Sequence, residues 1–225
     1  MPKTVDNDLP ITDTCPGFGS VAKYVAVSTQ EAALDVRSMS RTSTKVFILE
    51  VMGRHAGWIA VEGGLAGGAD IILVPEFPFD FDEICAQIQS RRERGKMFSI
   101  IVVAEGAKPK DASLITQTGE KDAFGHVRLG GIGNLIAREI EMRTAIDTRV
   151  TVLGHIQRGG SPTAFDRVLA TRFGVAAIEL VKEEKFGYMV GLRGNRIVPV
   201  PFAEALAEPK TVDAELYEIA KVFFG

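Results

Sequence analysis

Short apolar, β-branched runs alternate with longer helical stretches along most of this chain: TKVFILEVM, GWIAVEGGLAGGA, DIILVPE, FDEICAQIQSRRERG and FSIIVVAEG follow one another. The short runs are continuously apolar, which is what a strand buried on both faces requires. Such strands, separated by helices, build βαβ units in which helices cover both sides of a parallel sheet. The pattern therefore predicts an α/β fold. It also predicts helices over about 19–39, 133–144 and 162–184, and a strand TRVTVLGHI. A strand pair YMVGLRGNRIVPVP turned at Gly194 and a closing amphipathic helix DAELYEIAKVFF complete the chain. There is no internal repeat or low-complexity tract.

Charge narrows the function classes. With 26 basic and 29 acidic residues among 225, no overall field recruits nucleic acid or an anionic membrane. Any anion site must be a local group of Arg and Lys. Cys15 and Cys85 match no metal-ligand spacing and read as reduced thiols of a cytoplasmic protein. No apolar run approaches the roughly 20 residues of a membrane helix. The basic stretch QSRRERGK reads as the solvated end of a helix, its charges suited to the helix dipole, and is assigned no role. The Gly-dense LGGIGNLIAREI, around Gly130, Gly131 and Gly133, lacks the last glycine of a dinucleotide fingerprint. It reads as a tight turn into a helix rather than a nicotinamide site.

In parallel α/β sheets, ligands bind beyond the carboxyl ends of the strands. VFILEVM runs into Gly53 and Arg54, SIIVVA into Glu105 and Gly106, and TVLG into His155, Gln157 and Arg158, with Arg149 near the start of that last strand. Two arginines and a histidine can hold a phosphate dianion while a carboxylate holds sugar hydroxyls, so the edge resembles a sugar-phosphate pocket. Met52 and Trp58 read chiefly as packing residues, Met52 standing where it could also line the pocket. The opening MPKTVDNDLP crowds Asp6, Asn7 and Asp8 between two prolines. It has no apolar period, and it is either a loop whose side chains do chemistry or a solvated terminus. A doubly wound domain ordinarily begins with a strand and a Gly-rich phosphate turn, and this chain begins in a loop instead.

PKTVDNDL, EVMGRHAGW and TVLGHIQRGGSPTAFDR closely resemble the three signature segments of the phosphofructokinases, in order and spacing across nearly the whole chain. The resemblance implies a Rossmann-like parallel-sheet sandwich that is N-terminally truncated, because family members carry an upstream Gly-rich acidic loop for the phosphoryl donor and Mg2+. It implies a remnant of the donor-binding domain in 1–18 and 161–200, a fructose 6-phosphate-binding domain in 19–160 and a C-terminal segment in 201–225. The chain by itself is then expected to be inactive and prone to aggregate.

By the same resemblance, Asp6 is the general base that takes the proton of the sugar C1 hydroxyl, and Thr4 contacts the transferring phosphoryl group. Val5, Met52, Gly53, Arg54, Glu105, His155, Ile156, Gln157 and Arg158 join them at the fructose 6-phosphate site, with Arg54 also stabilising the transferred group. Lys45 and Arg149 reach the sugar phosphate of a neighbouring subunit in a homodimer or homotetramer. At position 45 many members have arginine, so lysine keeps the charge and loses the bidentate fork. Lys3 resembles the diphosphate-dependent branch. The reaction so implied is the reversible, glycolytic phosphorylation of fructose 6-phosphate by diphosphate. The alternatives are an ATP-dependent 6-phosphofructokinase and a non-catalytic sugar-phosphate-binding module, the second of which has no need of Asp6.

Overall fold

A computed structural model describes residues 1–111 and 131–224. Its main sheet holds four parallel strands: β1 (Lys45–Val51), β2 (Ile71–Leu73), β3 (Phe98–Ala104) and β4 (Asp147–Val152), in the order β2-β3-β1-β4. β1 lies between β3 and β4, with Ile48 opposite Ile101 on one side and Val150 on the other. Side chains alternate across each strand. Phe47, Leu49, Val51, Ile100 and Val102 face helices α1 (Phe18–Met39) and α2 (Trp58–Gly67). Val46, Ile48, Ile101 and Val103 face α3 (Phe81–Glu93) and α4 (Ile132–Thr144). Two-sided burial is the reason these strands read as unbroken apolar runs.

α2 is apolar apart from Glu62, and its glycines let α1 approach. A Cβ on Gly63 would lie 2.5 Å from Val25 Cγ1. Next to α1, α5 (Ala164–Lys182) packs Leu169 and Phe173 on Val190 and Leu192 of the antiparallel pair β5 (Tyr188–Arg193) and β6 (Arg196–Pro201). The other face of that pair, through Met189 and Val200, covers Leu9 and Ile11 of the opening loop. A short α6 (Phe202–Ala205) and the closing α7 (Ala214–Lys221) follow. Two expectations need correction. The strand expected to reach Ile156 ends at Val152 and tightens into a 3-10 turn, Gly154–Arg158, because Gly154 takes a left-handed φ of 51°. Arg91, within the stretch read as solvated, is buried and paired with Asp70 at 2.7 Å, and its Nε donates to Ser99. Of the Gly-dense turn, Gly131 caps α4 and Gly130 lies outside the described residues.

α1 has no acidic residue in its first turn and is capped from far away. The buried Asp166 of α5 accepts from Gly17 N at 2.8 Å and Ser20 N at 2.7 Å, and also from the Ser20 and Thr163 hydroxyls. A carboxylate on a helix N-terminus satisfies orphan donors and opposes the dipole. Asp166→Ala should therefore destabilise the fold by about 2 kcal/mol or more, since the donors stay buried. Urea unfolding measures this; a loss below about 0.5 kcal/mol would place the Asp166 contacts among ordinary surface interactions.

Candidate active site

The carboxyl ends of β1, β3 and β4 deliver their side chains to one edge. After β1 the chain turns through Gly53 and Arg54, both at positive φ. The turn crosses so close to the end of β3 that a Cβ on Gly106 would sit 1.9 Å from the Arg54 carbonyl oxygen. Glycine is the one residue that fits there. Glu105 accepts from Arg54 N at 3.1 Å, which fixes the turn and leaves the guanidinium exposed. Burial pushes the Glu105 carboxyl up, opposed by the Arg54 N–H and reinforced by the charge of Asp6.

The opening loop folds over this edge and is no solvated terminus. Asp6 is only 7% exposed, and its Oδ1 is buried with no hydrogen-bond partner among the described residues. Burial pushes its carboxyl above the ordinary aspartate value, and Asp8 adds to the shift. The charges of Arg158 and Arg54 pull the other way. The loop is internally braced. Thr4 Oγ1 accepts from Asp6 N and donates to Asp8 Oδ1, each at 3.1 Å, while Asn7 Oδ1 accepts from Cys15 N. Val5 turns its side chain into the core. Lys3, three positions before Asp6, is exposed.

His155, Ile156 and Arg158 project from the 3-10 turn after β4 and are exposed. Gln157 points the opposite way: its Oε1 accepts from Met52 N at 3.3 Å and its Nε2 donates to Gly154 O at 2.7 Å. It ties the ends of β1 and β4 together and is buried in doing so. Two further carboxylates shape the edge without having been singled out in the sequence. Glu50 accepts from Gly131 N and Gly133 N at the start of α4. Glu76 accepts from Gly57 N and Val212 N, joining the start of α2 to the C-terminal segment. A lone acid inside the apolar run VFILEV was the available signal for Glu50; Glu76 carried none.

This edge of cations and buried carboxylate is matched by what the chain is similar to. A family model described as Phosphofructokinase matches residues 1–181. The chain belongs to the phosphofructokinase family. It is 54% identical to the pyrophosphate–fructose 6-phosphate 1-phosphotransferase of Amycolatopsis methanolica, over all of this chain and 64% of that protein. It is 48% identical, with the same coverage, to the ATP-dependent 6-phosphofructokinase of Corynebacterium efficiens. The crystal structure of a pyrophosphate-dependent phosphofructokinase from Marinobacter aquaeolei superposes with a TM-score of 0.79 at 37% identity, covering 95% of this chain and 53% of that one. The chain thus spans 64% of the length of these curated relatives.

Within this phosphofructokinase chain, Lys45 and Arg149 stand apart from the other site residues. Lys45 opens β1, about 20 Å from Val51 at a strand rise of about 3.3 Å per residue. Its ammonium is held by Asp147 at 2.6 Å. Arg149, opposite Phe47 on β4, is exposed. Neither belongs to the edge that gathers Asp6, Arg54, Glu105 and Arg158. Among the described residues no group of three or more His, Cys, Asp or Glu could hold a metal ion, and the resemblance puts the Mg2+ ligands in the upstream loop of family members rather than in these residues. Among the described residues no helix is long and apolar enough to cross a membrane.

Proposed function

We propose that this chain carries the sugar-phosphate site of a phosphofructokinase in which diphosphate phosphorylates the C1 hydroxyl of fructose 6-phosphate, giving fructose 1,6-bisphosphate and phosphate. The observation that carries the reading is the buried Asp6 carboxyl, with an unpartnered oxygen and with Arg54 and Arg158 opposing the rise in its pKa. An acceptor hydroxyl there gives its proton to Asp6 as its oxygen bonds to phosphorus, and the leaving phosphate takes the electrons of the broken P–O bond. The raised Asp6 carboxyl is a better proton acceptor than a solvated aspartate. Phosphoryl transfer asks the protein mainly for positioning and charge, and Arg54 supplies the charge on the transferring group. Arg158 and His155 bind the 6-phosphate, Glu105 orients the sugar, and Met52, Gly53 and the Thr4–Val5 backbone form the wall.

Diphosphate is preferred over ATP because Lys3 is exposed three positions before Asp6, where an ammonium can hold a small, highly charged leaving group. The pyrophosphate-dependent relatives also share more of this sequence than the ATP-dependent ones, 54% against 48%. We assign the sugar site to 19–160, and Lys45 and Arg149 to contacts with the sugar phosphate of a second subunit in a homo-oligomer. Mg2+, cytoplasmic location and the donor-site remnant in 1–18 and 161–200 are parts of the same proposal.

Calorimetry tests the sugar site in this chain directly. Fructose 6-phosphate should bind, and Arg158→Ala should raise its Kd by about ten- to a hundredfold, the cost of a charge-assisted contact in a partly closed site. An unchanged Kd would remove Arg158 from the pocket, and no binding at all would leave the chain without a sugar-phosphate site.

A further inference from the structure

Lys210 lies outside the segment that the family model matches and reads in sequence as part of a plain loop, EPKTVD. In the fold it joins the two halves of the site. Its backbone N–H donates to Asp8 O at 2.7 Å. Its ammonium donates to the carbonyls of Thr12 and Asp13, both at 2.9 Å, and lies 5.2 Å from the centre of the Trp58 ring. Trp58 returns a hydrogen bond from Nε1 to Lys210 O at 2.9 Å. One residue therefore grips the opening loop on both sides of Leu9–Ile11, and is itself gripped by the first residue of α2, four positions after Arg54.

We propose that Lys210 is a positioning residue, which clamps the Asp6 loop onto the Arg54 turn so that base and arginine meet the substrate in one fixed arrangement. The role of Asp6 as base rests on the function proposed above. The mechanical part does not. Two carbonyls and an aromatic face take up the ammonium, so its charge is spent on the loop backbone and leaves the substrate anion to Arg54 and Arg158. Burial pushes the Lys210 ammonium down, opposed by the Cys15 thiol and the Asp13, Glu62 and Asp8 carboxyls near it. Glu76 reinforces the clamp two residues on by accepting from Val212 N and from Gly57 N.

Lys210→Met keeps the stem and removes the donors. In this chain, carboxyl-carbon NMR should show the Asp6 titration moving down toward the ordinary aspartate range, because a loosened loop admits water to the carboxylate. The Asp6 and Cys15 amides should exchange with solvent about tenfold faster or more, reporting the local opening. An upward shift would mean that Lys210 acts only through its charge, and an unmoved titration would mean that the loop stands without it; either overturns the proposal. Trp58→Phe, which deletes the Nε1 donor and keeps an aromatic face, should move both readouts in the same direction and decides the matter where Lys210→Met does not fold. Neither measurement involves turnover, so the clamp stands or falls on the Asp6 titration and the amide exchange, while the proposed function stands or falls separately on fructose 6-phosphate binding to the unmutated chain.

Discussion

Asp6→Asn is expected to lower kcat by about a hundredfold to ten-thousandfold, the range for loss of a general base, in a polypeptide that carries this chain at the full length of its relatives. The Kd for fructose 6-phosphate should change little, because the amide keeps the shape of the carboxylate and the phosphate stays with Arg158. Stability should move the other way. Asp6 is buried with one oxygen unpartnered, and its carboxyl is raised by burial. A group raised in the folded state holds its proton there more tightly than when unfolded, so stability falls as pH rises from the ordinary aspartate value through the raised one. At neutral pH the ionised side chain is a net cost. The neutral amide removes that cost, and Tm should rise in Asp6→Asn at pH 7 while the difference shrinks in acid. Near-normal kcat together with an unchanged Tm would reduce Asp6 to an ordinary loop residue.

The second large effect concerns the donor. Lys3→Gly should lower kcat/KM for diphosphate by about 10²-fold or more, the scale for losing one preorganised charge at a transition state. Any residual reaction with ATP should suffer much less, because a nucleotide brings binding energy from its base and ribose. Both donors are compared as kcat/KM at saturating sugar phosphate, since a change confined to KM reports ground-state binding. The unmutated enzyme should also run readily in reverse, the diphosphate anhydride and the sugar ester being closer in free energy than ATP and the ester. Full activity with ATP and none with diphosphate would leave Lys3 an exposed loop residue and establish the ATP-dependent alternative.

What the sequence determined by itself was everything written in local periods. A sheet covered on both faces leaves unbroken apolar runs such as VFILEV and SIIVVA, and these appear as neighbouring parallel strands. The helices expected over 19–39 and 133–144 start within one residue of the observed Phe18 and Ile132, because glycine turns mark both. The rule that ligands gather at carboxyl strand ends was enough to bring Arg54, Glu105 and Arg158 to one edge. Tertiary structure alone decided which polar groups are tools and which are struts. Arg91 reads as a solvated helix end until Asp70, 21 positions earlier, arrives beside it. Gln157 sits within a recognisable motif, and only the approach of Met52 N and Gly154 O turns it inward as a tie. Asp166 caps a helix that begins 148 positions before it, and Lys210 holds carbonyls almost two hundred positions away. A buried charge or donor must find a partner somewhere, but nothing in a local window says where. The burial of Asp6 is of the same kind: an acid between prolines looks solvated until the folded chain buries it to 7% exposure.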